Sequence, residues 1–263
     1  MDRVQVFPAA TAAEGAATAR SRRRDLAEIA IAYVLIMAVI WTPRPLQRVL
    51  WLVAVAGIAV IIGRSFEGFR AMGMRAGNLL RSLWVVGAAL AVAAVAAAVA
   101  AHLHTLRPPE NLRLLIEGYG LYAVWSGVQQ FLLQCFFLAR LVRLLPSPRA
   151  AAFAAAGLFA LAHVPNPVLV VLTIVWGTLS CLLFLRYRNL YPLAMAHAIF
   201  GITIALTVPG HVDHNMRVGL GYLKYHRGEH PPLQRSQSDQ IASTVAWVTA
   251  EAPTRLSRLH ARP

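Results

Sequence analysis

The chain has 263 residues, of which 58% are hydrophobic and only 14% are charged, and its formal net charge is +14 at pH 7. A mean hydropathy of +0.56 is far above that of a soluble enzyme and predicts that most of the chain is surrounded by lipid. Nucleic acid is excluded as a partner, because the basic residues are scattered between apolar runs. Cys135 and Cys181 lie within apolar segments, which argues against a disulfide framework or a Cys-rich zinc site.

Residues 1–24 are rich in Ala, Thr and Arg and end in a run of arginines. We expect a disordered basic N-terminal tail, followed by a retained signal-anchor helix. The apolar segments that follow predict an all-α, polytopic transmembrane helical bundle of about seven spans. The predicted spans are residues 26–42, 46–63, 81–103, 114–145, 150–164, 166–186 and 190–208.

The spans divide the rest of the chain into three parts. Residues 25–113 hold the N-terminal transmembrane spans, residues 114–208 form a core, and residues 209–263 are a polar, basic C-terminal tail. Arginines are concentrated in the segments on the same side as the N-terminus, which fits the positive-inside rule. We expect an integral protein of a bacterial-type inner (cell) membrane, with the N-terminus in the cytoplasm and the lipid bilayer as its main partner.

Polar side chains occur inside three of the uncharged apolar segments. Gln129 and Gln130 lie in the fourth span, His163 in the fifth and His197 in the seventh. A polar group at that depth is costly unless it faces another polar group or water, so the three spans predict one shared buried site. The alternative is that these side chains only hydrogen-bond neighbouring helices.

On a helix with about 100° per residue, the polar side chains of the fourth span fall within roughly 140° of one another. They are Tyr122, Ser126, Gln129, Gln130 and Gln134. Cys135 lies on the far side of this stripe, so we do not expect it to be a nucleophile. In the fifth span Phe159 precedes His163 by one turn, so its ring can line a pocket into which the imidazole projects.

Two imidazoles at this depth can bind a metal, orient water or donate to a developing oxyanion. His163 is the best candidate ligand if a divalent metal is bound. Haem ligation by His163 and His197 is a further option, but it is disfavoured because the surrounding motifs have a better explanation.

The order of these motifs resembles that of the CPBP intramembrane proteases, a family that includes CAAX prenyl proteases and bacteriocin-processing (Abi) enzymes. The resemblance covers about residues 115–208 and rests on the pair Gln129-Gln130, on Phe159-Ala-Leu-Ala-His163, and on Leu190-Tyr191-Pro192-Leu193-Ala194-Met195-Ala196-His197. It implies an endopeptidase acting on a membrane-associated peptide or protein. By this resemblance, the expected catalytic residues are His163, His197, Gln129 and Gln130, and the expected substrate contacts are Phe159, Gln134 and Ser126.

The chain departs from the family at two motifs. In the family the first motif is Glu-Glu-x-x-x-Arg and the third is His-x-x-x-Asn or Asp, whereas this chain has Gln129, Gln130 and Gln134 in the first and Gly201 in the third. A carboxamide has no useful basicity near neutral pH, so Gln129 can orient water but cannot be its general base. Two hypotheses follow: an endopeptidase with an altered base, or a non-hydrolysing protein of the same fold that binds a peptide, lipid or partner subunit.

Overall fold

The structure is a computed structural model that describes residues 12–224 except 67, 71, 76 and 110. Its described residues form helices and no strand, which confirms the all-α class. The predicted tail segments at 1–11 and 225–263 lie outside the described residues. The α-helices are α1 (Ala12–Trp41), α2 (Leu46–Arg64), α3 (Leu79–Ser82), α4 (Trp84–His102), α5 (Leu112–Phe131), α6 (Ala139–Leu144), α7 (Pro148–Leu161), α8 (Pro167–Tyr187), α9 (Tyr191–Thr207), α10 (Gly210–Asp213) and α11 (Gly219–Leu223).

By length and composition, four helical segments can cross a membrane: α2, the run Leu79–His102, the run Leu115–Leu144 and α8. A bent pair that starts with α9 would make a fifth. Many of their leucine and valine side chains are exposed, as expected of surfaces that face lipid. The protein is therefore an integral membrane protein with a polytopic helical bundle. The number seven stays a prediction, because α7 has 14 residues and is only about 21 Å long.

The first helix begins earlier than the sequence predicts. Helical backbone starts at Ala12, inside the segment 1–24 that we expected to be a disordered tail. The physical reason is that Ala and Arg, which dominate residues 12–24, are among the best helix formers. The correction applies to residues 12–24 alone.

An ion-pair cluster joins α1 to α6 and α2. Glu28 accepts two hydrogen bonds from Arg140 (2.9 and 2.7 Å), and Arg140 also donates to Ser65 (2.9 Å). Asp25 accepts two from Arg143 (2.8 and 2.7 Å). The middle of α1, the end of α2 and helix α6 therefore meet in this cluster.

The predicted C-terminal tail is folded over its first part. Asn166, which is fully buried, donates to the backbone carbonyl oxygens of Asp213 (2.6 Å) and Arg217 (3.1 Å). The N–H of Gly219 donates to the carbonyl oxygen of Val164 (3.0 Å). These bonds hold residues 209–224 against the turn between α7 and α8, so this part of the tail belongs to the bundle.

The fourth predicted span is one helical rod made of α5, a π-helical segment (Leu132–Leu138) and α6. A π-helix bonds residue i to i+5, so its turns hold more residues than those of an α-helix and the angular position of later side chains changes. Gln130 precedes this segment, and Arg140 in the ion-pair cluster follows it. The 3.6-residue periodicity therefore does not extend unchanged along the whole rod.

Candidate functional site

A cavity of about 1620 Å³ opens inside the bundle, with contributions from α1, α2, α4, α5, α8 and α9. Its walls are mostly apolar. Four of the residues that line it are His163, His197, Gln129 and Tyr122, contributed by three of the predicted spans. The structure thus brings the two histidines and one of the paired glutamines to a single cavity. None of the described residues that line this cavity is Asp or Glu.

His163 lies in the turn after α7 and not inside a helix. The turn is fixed from its far side by Asn166, whose side chain accepts from the N–H of Leu169 (3.1 Å) at the start of α8. Nδ1 of His163 is 2.7 Å from the carbonyl oxygen of Phe159. A carbonyl oxygen can only accept, so Nδ1 of the neutral ring carries the proton and Nε2 keeps its lone pair.

His197 lies on α9 and is only 7% exposed. Its Nδ1 is 2.9 Å from Nε2 of Gln130. The Phe159 ring meets both imidazoles edge to face, at centroid distances of 4.9 Å to His163 and 5.7 Å to His197. Phe159 therefore packs against both histidines and fixes their relative position, which is a more specific role than lining a pocket.

Two residues expected to contact substrate lie behind the cavity wall. Ser126 and Gln134 have no exposed surface. Ser126 donates to the carbonyl oxygen of Tyr122 one turn earlier (2.9 Å), and Gln134 donates to Gln130 (3.1 Å) and Ser180 (3.1 Å). Polar side chains without access to water bond each other, so the substrate contact by Ser126 and Gln134 stays a prediction that their burial does not favour.

The paired glutamines have different environments. Gln130 has no exposed surface and contacts His197, so it does not itself meet water. Gln129 is partly exposed and lines the cavity. Of the two, only Gln129 is in a position to orient a water molecule, and the expected catalytic contact by Gln130 becomes an indirect one.

Gly201 lies against the hydroxyl group of Tyr122. A β-carbon at position 201 would overlap that hydroxyl group, so Tyr122 in this position excludes any side chain at position 201. Gly201 is one helical turn after His197, at the position where the resemblance implies Asn or Asp. The Tyr122 hydroxyl therefore enters the space which that side chain would need. Sequence reasoning assigned Tyr122 to the polar stripe but gave it no role, because one sequence carries no signal for a contact between distant helices.

Other acidic and thiol groups of this region are engaged elsewhere. Glu28 is held in the ion-pair cluster, and Glu117 accepts from Arg113 at 2.6 Å. The Cys135 thiol donates to the carbonyl oxygen of Met72 at 3.0 Å, and Cys135 does not line the cavity. Neither carboxylate replaces the missing glutamates, and Cys135 is not directed at the site.

The donor set does not fit a resident divalent metal. Within residues 12–224, leaving out the four gaps, no group of three or more His, Cys, Asp and Glu side chains could hold an ion. Nε2 of His163 has a lone pair, but Nδ1 of His197 faces an amide group and the remaining polar neighbours are carboxamides and a phenol. Zinc sites use histidine, thiolate and carboxylate ligands. The chemistry considered below therefore uses side chains alone.

The fold and the cavity define a polytopic membrane protein with a histidine-containing intramembrane site. A family model described as "Rce1-like: Type II CAAX prenyl endopeptidase Rce1-like" matches residues 120–203, the segment that holds both histidines and the three glutamines. This match confirms the resemblance that the motifs indicate: residues 120–203, which carry the site, are similar to the type II CAAX prenyl endopeptidase family. No curated protein and no solved structure matches the chain.

Proposed function

We propose that this protein is a CAAX protease-like intramembrane endopeptidase, which hydrolyses a peptide bond of a membrane-associated peptide or protein in the cavity. The observation that carries the proposal is the pair of imidazoles on one cavity, packed against the same phenyl ring. The lone pair on Nε2 of His163 supplies a base, the function that a carboxamide lacks.

In this mechanism Gln129 orients a water molecule beside the peptide carbonyl group and Nε2 of His163 removes its proton as the water attacks. His197 and the hydroxyl group of Tyr122 donate to the oxygen that becomes negatively charged. The imidazolium of His163 then gives its proton to the departing amine. The apolar walls hold a hydrophobic substrate segment and exclude bulk water, which strengthens each of these interactions.

The test is cleavage of a membrane-tethered peptide library by the purified protein in lipid. We expect cleavage by the wild type and none by His163→Ala. His102→Ala is the matched control, because His102 is exposed at the end of α4, and it should cleave like the wild type. Equal turnover by His163→Ala and the wild type would remove His163 from the mechanism.

A second function is favoured by a specific observation. The cavity has no acidic side chain among its described lining residues, and the near-isosteric Gln129 stands where the family has a glutamate. A protein that binds a peptide, lipid or partner subunit without hydrolysis would tolerate this replacement. Under this alternative the wild type retains library peptides but releases no fragment. Histidine-dependent cleavage by the unmodified protein would eliminate it.

We further propose that the N-terminus is cytoplasmic in a bacterial-type inner membrane. The ion-pair cluster and the bond from Arg22 to the Leu144 carbonyl oxygen (3.3 Å) gather arginines around residues 22–28 of α1 and helix α6. Basic residues favour the cytoplasmic side. Cysteines introduced at the exposed positions Arg23 and Arg44 test this. A membrane-impermeant thiol reagent should label Arg44→Cys in intact cells, and label Arg23→Cys only after permeabilisation.

A further inference from the structure

A chain of hydrogen bonds runs from α8 through the fourth span to His197. Ser180 donates to the carbonyl oxygen of Gly177 (3.1 Å), so its hydroxyl hydrogen is used and its oxygen is left to accept. Nε2 of Gln134 donates to Ser180 Oγ (3.1 Å) and to Gln130 Oε1 (3.1 Å), which uses both of its hydrogens. Gln130 then directs its own NH₂ group at Nδ1 of His197, 2.9 Å away.

Which groups donate in this series of hydrogen bonds follows from comparing the two possible orientations of the Gln134 and Gln130 amide groups. Among the side-chain polar atoms of Ser180, Gln134 and Gln130, Oε1 of Gln134 is the one that is buried without a hydrogen-bond partner in the structure. Reversing both amides would place Gln134 Oε1 against Ser180 Oγ, and Ser180 could donate to it only by giving up its hydrogen bond to the Gly177 carbonyl oxygen. It would also bury the NH₂ group of Gln134 with two unpaired hydrogens. Buried N–H groups without an acceptor are rarer than under-used carbonyl oxygens. Gln130 therefore donates to His197 and does not accept from it.

We propose that Ser180, Gln134 and Gln130 hold His197 as the neutral tautomer with its proton on Nε2. Nδ1 is occupied as an acceptor, so the remaining ring nitrogen can only donate. His163 has the opposite tautomer, because its Nδ1–H is bonded to a backbone carbonyl oxygen. The two histidines thus have fixed and opposite hydrogen-bonding polarity: His163 offers the lone pair of Nε2, and His197 offers Nε2–H.

Gln130 and Gln134 are positioning residues in this inference, since they act through His197. The protonation pattern holds whether or not the protein cleaves peptides, whereas the use of His197 as an oxyanion donor rests on the proposed function. A carboxylate at position 130 can only accept a hydrogen bond. Gln130→Glu would therefore move the proton of His197 to Nδ1 and turn Nε2 into an acceptor. Gln130 therefore determines which nitrogen of the His197 ring carries the proton.

The experiment is nitrogen NMR of the full-length protein in lipid nanodiscs, with ¹⁵N-labelled histidine rings and the His197 signals assigned by their loss in His197→Ala. We expect Nε2 of His197 to be protonated and Nδ1 to be bare, by a ratio above about tenfold given the cost of an unpaired buried donor. His163 should have the reverse pattern in the same spectrum. In Gln130→Glu the proton of His197 should move to Nδ1.

Gln129→Leu is the matched control, because Gln129 is adjacent to Gln130 in the sequence but takes no part in the hydrogen bonds that join Ser180, Gln134, Gln130 and His197. This variant should leave the His197 signals unchanged. Gln134→Met should give a mixture of tautomers, since nothing then orients the Gln130 amide. A wild-type His197 protonated on Nδ1 overturns the inference, and this result needs no variant to fold. The expected spectrum in a protein that cleaves no peptide would uphold the inference and reject the proposed function.

Discussion

The hydroxyl group of Tyr122 on α5 occupies the space into which a β-carbon of residue 201 on α9 would project. Tyr122 and residue 201 therefore compete for the same space, although they are 79 positions apart in the sequence. The resemblance implies an Asn or Asp at position 201, and the structure explains how this chain can lack it. A polar group is present at the same place, supplied by a different helix.

We expect Gly201→Asn to destabilise the protein, because the new side chain overlaps Tyr122 and overpacking of this kind costs about 1–3 kcal/mol. The double change Tyr122→Ala with Gly201→Asn should recover much of that loss, since the alanine vacates the space. Thermal unfolding in one detergent–lipid mixture, compared among the wild type, both single variants and the double variant, measures the coupling. Additive losses would show that the two residues do not compete for space.

Tyr122→Phe tests the hydroxyl group without changing the ring. The variant should unfold at a temperature close to that of the wild type, whereas kcat for peptide cleavage should fall by about 10²–10³, as when an oxyanion donor is removed. KM should change little, because the bond is made mainly in the transition state. A fall in stability with unchanged kcat would assign Tyr122 a packing role only.

Gln129→Glu should raise turnover, because it places a carboxylate base beside the attacking water, but by less than the factor of about 10²–10⁴ that general-base catalysis contributes as a whole, since Nε2 of His163 already acts as the base. The double change Gln129→Glu with Gln130→Glu should be less active than Gln129→Glu alone. The second glutamate accepts from Nδ1 of His197 and removes the donor from Nε2. Initial cleavage rates of the three proteins on one library peptide decide the order. A double variant that is the fastest would contradict the assigned polarity of His197.

The ion-pair cluster should contribute more to stability than the surface pair between Arg113 and Glu117. The side chains of Arg140 and Glu28 are 4% and 14% exposed, whereas those of Arg113 and Glu117 are 84% and 54% exposed. Arg140→Ala leaves a partly buried carboxylate with less compensation and should cost about 3 kcal/mol. Arg113→Ala is the control and should leave the unfolding midpoint unchanged. Equal midpoints for the two variants would contradict this difference.

The positions of the main helices follow from the sequence. The predicted span at 46–63 corresponds to α2 (Leu46–Arg64) and that at 166–186 to α8 (Pro167–Tyr187). Apolar runs bounded by proline and charged residues mark such helices, and Asn166 between two prolines marks the turn before α8. The convergence of both histidines and Gln129 on one cavity also follows from the cost of polar groups at membrane depth.

The sequence does not indicate which polar residues face the cavity and which lie behind its wall. Gln129 and Gln130 are adjacent and chemically identical, yet the first lines the cavity and the second is buried against His197. Their difference depends on the packing of α9 and α8 against the fourth span. Ser180, which begins the hydrogen-bond chain, lies in an apolar run and resembles any small residue of a helix interface.

The π-helical segment lies between two contacts made by the same rod: that of Gln130 with His197 before it, and that of Arg140 with the ion-pair cluster after it. If Leu132–Leu138 were α-helical at its present length, everything beyond it would be turned by about 100° relative to the glutamines, because a π-helical turn holds more residues than an α-helical turn. Either the cluster or the contact with His197 would then be out of register. Deleting one residue from this stretch so that α-helix continues through it is therefore expected to keep both contacts, because the π-helical turns accommodate the additional residue without turning the rest of the rod.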